Sequence, residues 1–144
     1  MIGTFAAQMI FAAKTATPIV LKDLPAPVRA AASQHHAPSG SIRSYEKIVI
    51  DGKPFYELKI KSPHGPAQEI LFRPDGSVAE TEEEIDLTRV PAAARTAIEQ
   101  AARNGKLVKV DLIRRDGKEL YEGEIRENGK KIAPVFDATG RKIE

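Results

Sequence analysis

Few side chains in this chain have types and spacings that could do chemistry. The only histidines are His35, His36 and His64. Neighbouring residues on a helix point about 100° apart, so His35 and His36 do not share a metal ion unless the helix unwinds, and the pair reads as a helix end. His64, between Ser62-Pro63 and Gly65-Pro66, reads as a solvated hairpin tip. A serine nucleophile has no Gly-x-Ser-x-Gly elbow behind it, and no glycine-rich loop follows a strand to cradle phosphate. Cysteine is absent, which removes disulfides, thiolate ligands and a thiol nucleophile. The acidic run Glu80, Glu82, Glu83, Glu84 and Asp86 lacks the spaced ligand loop and central glycine of a calcium site, and reads as a solvated strand and linker. Glu57 and Glu122 each follow a tyrosine on the polar side of a strand, where pairing with Lys or Arg across strands is the usual role. The expectation is no catalytic residue, no cofactor and no metal ligand.

What the chain offers instead is repetition. Asp51-Gly52-Lys53-Pro54-Phe55-Tyr56-Glu57-Leu58-Lys59-Ile60 returns as Asp116-Gly117-Lys118-Glu119-Leu120-Tyr121-Glu122-Gly123-Glu124-Ile125, at a spacing of 116 − 51 = 65. Leu21-Lys22-Asp23-Leu24-Pro25-Ala26 likewise matches Leu87-Thr88-Arg89-Val90-Pro91-Ala92. Two copies of one unit follow, at residues 19–86 and 87–144, each too small to bury much core alone and so expected to pack as one globular body. Residues 1–18 precede them. Met1 to Ala13 is apolar and rich in small residues, too short to span a bilayer as a helix, and resembles the end of a secretory signal peptide with cleavage near Ala12 or Ala13. Residues 1–18 thus read as a signal-peptide remnant or a flexible N-terminal segment. Export to the periplasm or medium is expected, without stable membrane insertion.

Periodicity supplies the elements that position these residues. Proline is tolerated where a helix begins, so helices are predicted from about Pro25 to His36, burying Leu24, Val28, Ala31 and Ala32, and from about Pro91 to Arg103, burying Ala94, Ala97, Ile98 and Ala101. Strands are predicted over Ile42 to Ile50, around Tyr56 to Ile60, Gln68 to Phe72 and Val78 to Ile85, and again over Leu107 to Arg114, Glu119 to Glu127, Lys130 to Phe136 and a short Arg141 to Glu144. Asp-Gly and Asn-Gly supply the positive-φ turns of tight hairpins. In the clearest alternation, Tyr56, Leu58 and Ile60 share one face while Glu57, Lys59 and Lys61 share the other, which describes a sheet with one wet face. The predicted class is α+β: two tandem helix-plus-four-strand antiparallel units, their sheets joined or adjacent, with both helices on one face and the opposite face broad, polar and partly open. Tyr56 and Tyr121 fall on the helix-covered face as core. Tyr45 and Phe55, flanking the first hairpin, His64 at a loop tip, and Glu57 and Glu122 on the polar face are the candidate partner contacts.

Leu/Val-Pro-Ala-x-x-Arg opening a helix, Asp-Gly-Lys-x-x-Tyr-Glu in the first hairpin, and Phe72 to Gly76 with Phe136 to Gly140 closing the third strands together resemble the PepSY-like, or beta-lactamase-inhibitor-like, family of small exported bacterial proteins. The resemblance covers residues 21–144. It implies tandem helix-plus-sheet units, a periplasmic or secreted location and no catalytic activity. The related PepSY domain of thermolysin-type propeptides implies inhibitory or chaperone-like protein binding. A formal net charge of +2 and 6% aromatic residues give neither a phosphate-binding field nor stacking platforms, so nucleic acid is not an expected partner. The expected function is an exported, non-enzymatic protein-binding module, inhibitor-like in the manner of that family, acting as a monomer or weak homodimer on an envelope or secreted protein such as a peptidase through the open sheet face and hairpin loops. The competing expectations are an envelope-associated protein that assembles through its own sheet edges and, behind both, a small hydrolase using surface carboxylates.

Overall fold

The computed structural model describes residues 14–143, and the described chain divides into two compact units between Thr81 and Glu82. The expected signal-peptide remnant up to Ala13 lies outside the described residues. The first unit contains β1 (Lys14–Ile19), α1 (Ala26–Ser33), β2 (Ile42–Ile50), β3 (Lys53–Lys61), β4 (Gln68–Phe72) and the beginning of β5 (Val78–Ile85). The second contains the rest of β5, α2 (Ala92–Ala101), β6 (Lys106–Arg115), β7 (Lys118–Glu127), β8 (Lys130–Ile132) and β9 (Val135–Asp137). The fold is α+β, with helix-plus-antiparallel-strand units.

Both helices start for the same local reason. Pro25 and Pro91 occupy the N-cap with extended backbone, and their carbonyls accept the N–H of Arg29 at 2.9 Å and Arg95 at 2.8 Å. A proline at this place sacrifices no helical hydrogen bond. Each helix then lays one apolar face on its strands. Leu24, Val28 and Ala32 pack with Leu58, Ile60, Ile70 and Phe72; Val90, Ala94 and Ile98 pack with Val110, Leu112, Tyr121 and Phe136. Tyr56 is partly buried against the first of these cores.

Hairpins set the register. Asp51, Asp116 and Asn128 have φ of 49°, 51° and 49°, the left-handed geometry that matches strand twist in a two-residue turn. The β2–β3 ladder consequently places Glu46 opposite Glu57, and β3–β4 places Glu57 opposite Leu71. In the second unit Asp111 stands opposite Glu122.

Several elements depart from the sequence expectation. Thr15 to Pro18, expected to be a connection within the flexible N-terminal segment, lies in a strand, Lys14–Ile19, paired with β2 from Lys14↔Ile50 to Ile19↔Tyr45. Helix α1 stops at Ser33 rather than His36, and Arg43 donates hydrogen bonds to the carbonyls of Ala32 and His35, which the end of the helix leaves without a full set of helical partners. The expected strand from Lys130 to Phe136 is broken by Ala133-Pro134 into β8 and β9, both paired with β7. Among the described residues, the expected strand at Arg141 to Glu144 is reduced to one bridge, Phe136↔Lys142.

The largest correction concerns the face opposite the helices. Alternation along β3 alone predicts a wet face, but neighbouring strands place Ile48, Ile50 and Leu71 on it in the first unit, at 0%, 3% and 0% exposure. In the second unit Ile113, Leu120 and Val135 form a further apolar cluster there, with Ile143 packed against it. The polar residues of that face are therefore embedded among aliphatic ones.

Candidate functional site

Glu57 and Glu122 were expected in solvent and are buried, at 1% and 5% exposure. The acidic run was expected to be solvated as well, yet Glu80 and Glu82 are buried. Transferring a carboxylate from water into such surroundings is costly unless a cation or several donors meet it. The two copies solve this differently.

In the first unit an ammonium is built in. Lys59 Nζ hydrogen-bonds Glu46 Oε2 at 3.0 Å and lies 3.2 Å from Glu57 Oε2, an ion-pair contact outside hydrogen-bond geometry. Burial pulls the Lys59 ammonium down, but Glu57 and Glu46 beside it outweigh burial and hold its pKa above the ordinary value. Glu57 itself is pushed up to about 8, first by burial and then by the Glu69 carboxylate, against the opposing pull of Lys59.

The second unit keeps the acids and loses that ammonium. Asp111 and Glu122 stand where Glu46 and Glu57 stand in the first copy (111 − 46 = 65 and 122 − 57 = 65), while Lys59 is matched by Glu124 (124 − 59 = 65). Lys131 takes Glu124 at 3.0 Å, and Lys109 takes Asp111 Oδ2 at 2.6 Å. Glu122 has no hydrogen-bond or ion-pair partner among the described residues. Its pKa is pushed up to about 8, first by burial and then by Asp111. Glu82, Asp111 and Glu122, all buried, each offer a carboxylate oxygen within 4.8 Å of the others.

The remaining expected contact residues are dispersed. Tyr45 is partly buried against the first core, Phe55 is half-buried on β3, and His64 is exposed in the turn between β3 and β4. His35 leaves the end of α1 to meet Phe72 edge-on, with ring centroids 5.6 Å apart, an ordinary packing role. Sequence reading missed two features. One is the acid cluster, whose members are far apart in sequence. The other is the outer side of β1: Thr15 to Pro18 are exposed, and among the described residues β1 pairs with β2 alone. Val20 and Leu21, just past its end, are 53% and 47% exposed, and Ile42, at the start of β2 beside that end, is 69% exposed.

No family model matches the chain, and no curated protein matches it. Solved structures do. A protein of Bacteroides eggerthii described as periplasmic superimposes with a TM-score of 0.64 at 17% identity, over 83% of this chain and 86% of that one. A DUF2874 family protein of Bacteroides ovatus does so with a TM-score of 0.61 at 14% identity, over 83% and 84%. The fold is shared with these proteins. A protein of Bacteroides thetaiotaomicron described as periplasmic and calcium-regulated gives a TM-score of 0.39 at 19% identity, over 90% and 94%, a likeness too slight to bear on this chain. Among the described residues no helix is long and apolar enough to cross a membrane.

Proposed function

We propose that this chain is a non-enzymatic periplasmic binding module that captures an extended segment of another envelope or secreted protein by adding it as a strand to β1. The observation that carries this reading is the outer side of β1 with its apolar end. A strand edge presents unpaired N–H and C=O groups to any extended chain, and side-chain pockets beside it select the sequence. Pro18 lacks an N–H and lies near the end of β1, which limits main-chain pairing to the Lys14 to Thr17 part and leaves Val20, Leu21 and Ile42 to grip an apolar side chain. The PepSY-like motifs and the shared fold with a protein described as periplasmic support the location and the absence of catalysis. An inhibitor-like role belongs to the same reading if the captured protein is a peptidase.

Replacing Val20 and Leu21 together by Asp tests it. Both side chains are exposed, so the thermal midpoint should stay within a degree or two, as surface substitutions usually leave stability within roughly 0.5 kcal/mol. Wild-type protein used as bait in a periplasmic fraction should enrich a discrete protein that the double variant does not. Equal capture by both, or enrichment of nothing, contradicts the proposal; concentration-dependent self-association lost in the variant would assign the edge to a second copy instead.

A further inference from the structure

We propose that the second unit binds one hard divalent cation, of the Ca2+ class, between Glu82, Asp111 and Glu122. This site is separate from β1, and it stands whether or not the edge binds a partner.

The first copy serves as an internal control. There the Glu46–Glu57 pair is met by the ammonium of Lys59, at 3.0 and 3.2 Å. The second copy retains the pair as Asp111 and Glu122 and adds Glu82 from β5, but at the position of Lys59 it carries Glu124. Lys109 and Lys131 both pull the Glu122 pKa down, but neither makes an ion pair with Glu122 as Lys59 does with Glu57. Lys131 is committed to Glu124, and Lys109 approaches Asp111. Glu122 is thereby left 5% exposed, without a hydrogen-bond or ion-pair partner among the described residues, and within 4.8 Å of an oxygen of both other acids. A cation bound there does for the second copy what Lys59 does for the first.

Chemistry selects the class of ion. Three carboxylates and no nitrogen or sulfur donor favour a hard cation over zinc or copper. Mg2+ dehydrates reluctantly and is usually bound through one or two carboxylates with several waters kept, whereas Ca2+ accepts more oxygen ligands in a flexible geometry. Three buried carboxylates on neighbouring strands suit the ion that gives up its water more readily. Each strand places its ligand on one face of a hydrogen-bonded ladder, with Asp111 directly opposite Glu122, so the donors are held by backbone geometry rather than by a mobile loop.

The experiment is calorimetric titration of chelator-treated full-length protein near neutral pH with CaCl2, MgCl2 and MnCl2, each up to about 10 mM, above the roughly 10⁻⁴–10⁻³ M range of extracellular calcium modules. Thermal melts accompany each titration. Wild type should bind one Ca2+ per chain and gain several degrees in Tm at saturation, because a ligand that binds only the folded state stabilises it. Glu122→Gln should lose at least about tenfold in affinity, in keeping with the dependence of such sites on ligand charge, while its metal-free Tm equals or exceeds that of wild type. Glu57→Gln, the matching change in the first copy, should leave the affinity unaltered. No heat and no Tm shift with any of the three cations overturns the proposal. So does binding that Glu122→Gln leaves intact, or that Glu57→Gln weakens equally.

Discussion

Gly140→Ala should lower the thermal midpoint by roughly 10 °C. Two effects add. Gly140 has φ +81°, where a Cβ costs roughly 1–2 kcal/mol. That Cβ would also lie 2.7 Å from the carbonyl oxygen of Ala93 in the first turn of α2, and forcing the turn and helix apart costs about 1–3 kcal/mol more. At roughly 2–8 °C per kcal/mol for domains of this size range the sum reaches the stated shift. Gly76, with φ +86°, stands in the same relation to α1, a Cβ there falling 2.6 Å from the Pro27 carbonyl oxygen, so Gly76→Ala should behave alike. Gly117→Ala separates the two effects: φ is +72° but nothing lies within 4 Å, so it should show the backbone cost alone. Thermal melts followed by circular dichroism decide, and equal losses at positions 117 and 140 would show that the helix contact contributes nothing.

Glu57→Gln should make the protein more stable at pH 8, by about 1–3 kcal/mol, as relief of a buried charge commonly does. A carboxyl whose pKa rises on folding from 4.5 to about 8 binds its proton more tightly in the folded state. Its contribution to stability is therefore complete below the unfolded value and is lost as pH rises through about 8. Wild type should melt at progressively lower temperature between about pH 5 and pH 8, with Glu122 adding to the slope in the same direction. The groups facing Glu57 are Glu46 from β2, Lys59 on β3, Glu69 from β4 and Lys14 from β1. The Gln side chain keeps an acceptor for Lys59 and offers Glu46 a donor, so the swap leaves the ammonium served. The variant should flatten the pH dependence by about half, and the Glu57→Gln, Glu122→Gln double variant should remove most of it. A wild-type Tm that rises over this window would contradict the burial of both acids.

How much of this was legible in sequence depends on whether the deciding contact is local. The hairpins were legible because Asp51-Gly52, Asp116-Gly117 and Asn128-Gly129 carry their conformation in two residues. The helix starts were legible because Pro25 and Pro91 act within one turn. The end of α1 was not, since the guanidinium that caps its last carbonyls belongs to Arg43, beyond the following loop. Nor was β1, whose Thr-Ala-Thr-Pro reads as a connector until β2 is placed beside it. The face of Glu57 was misjudged because alternation within one strand does not show what adjacent strands contribute. Only the register that brings Leu71 opposite Glu57, with Ile48 and Ile50 along the same face, makes it apolar. The acid cluster had one readable signal: aligning the copies at the 65-residue offset sets Lys59 against Glu124, a charge reversal in the middle of a repeated acid pair.

Whether the two repeated glutamates are buried acids, one neutralised from within and the other not, is read most directly by a carbon-detected NMR titration of the Glu57 and Glu122 carboxyl groups in cation-free protein. Both should titrate near pH 8. Midpoints in the ordinary glutamate range, about 4.3, would place both residues in water and contradict the arrangement of the entire face.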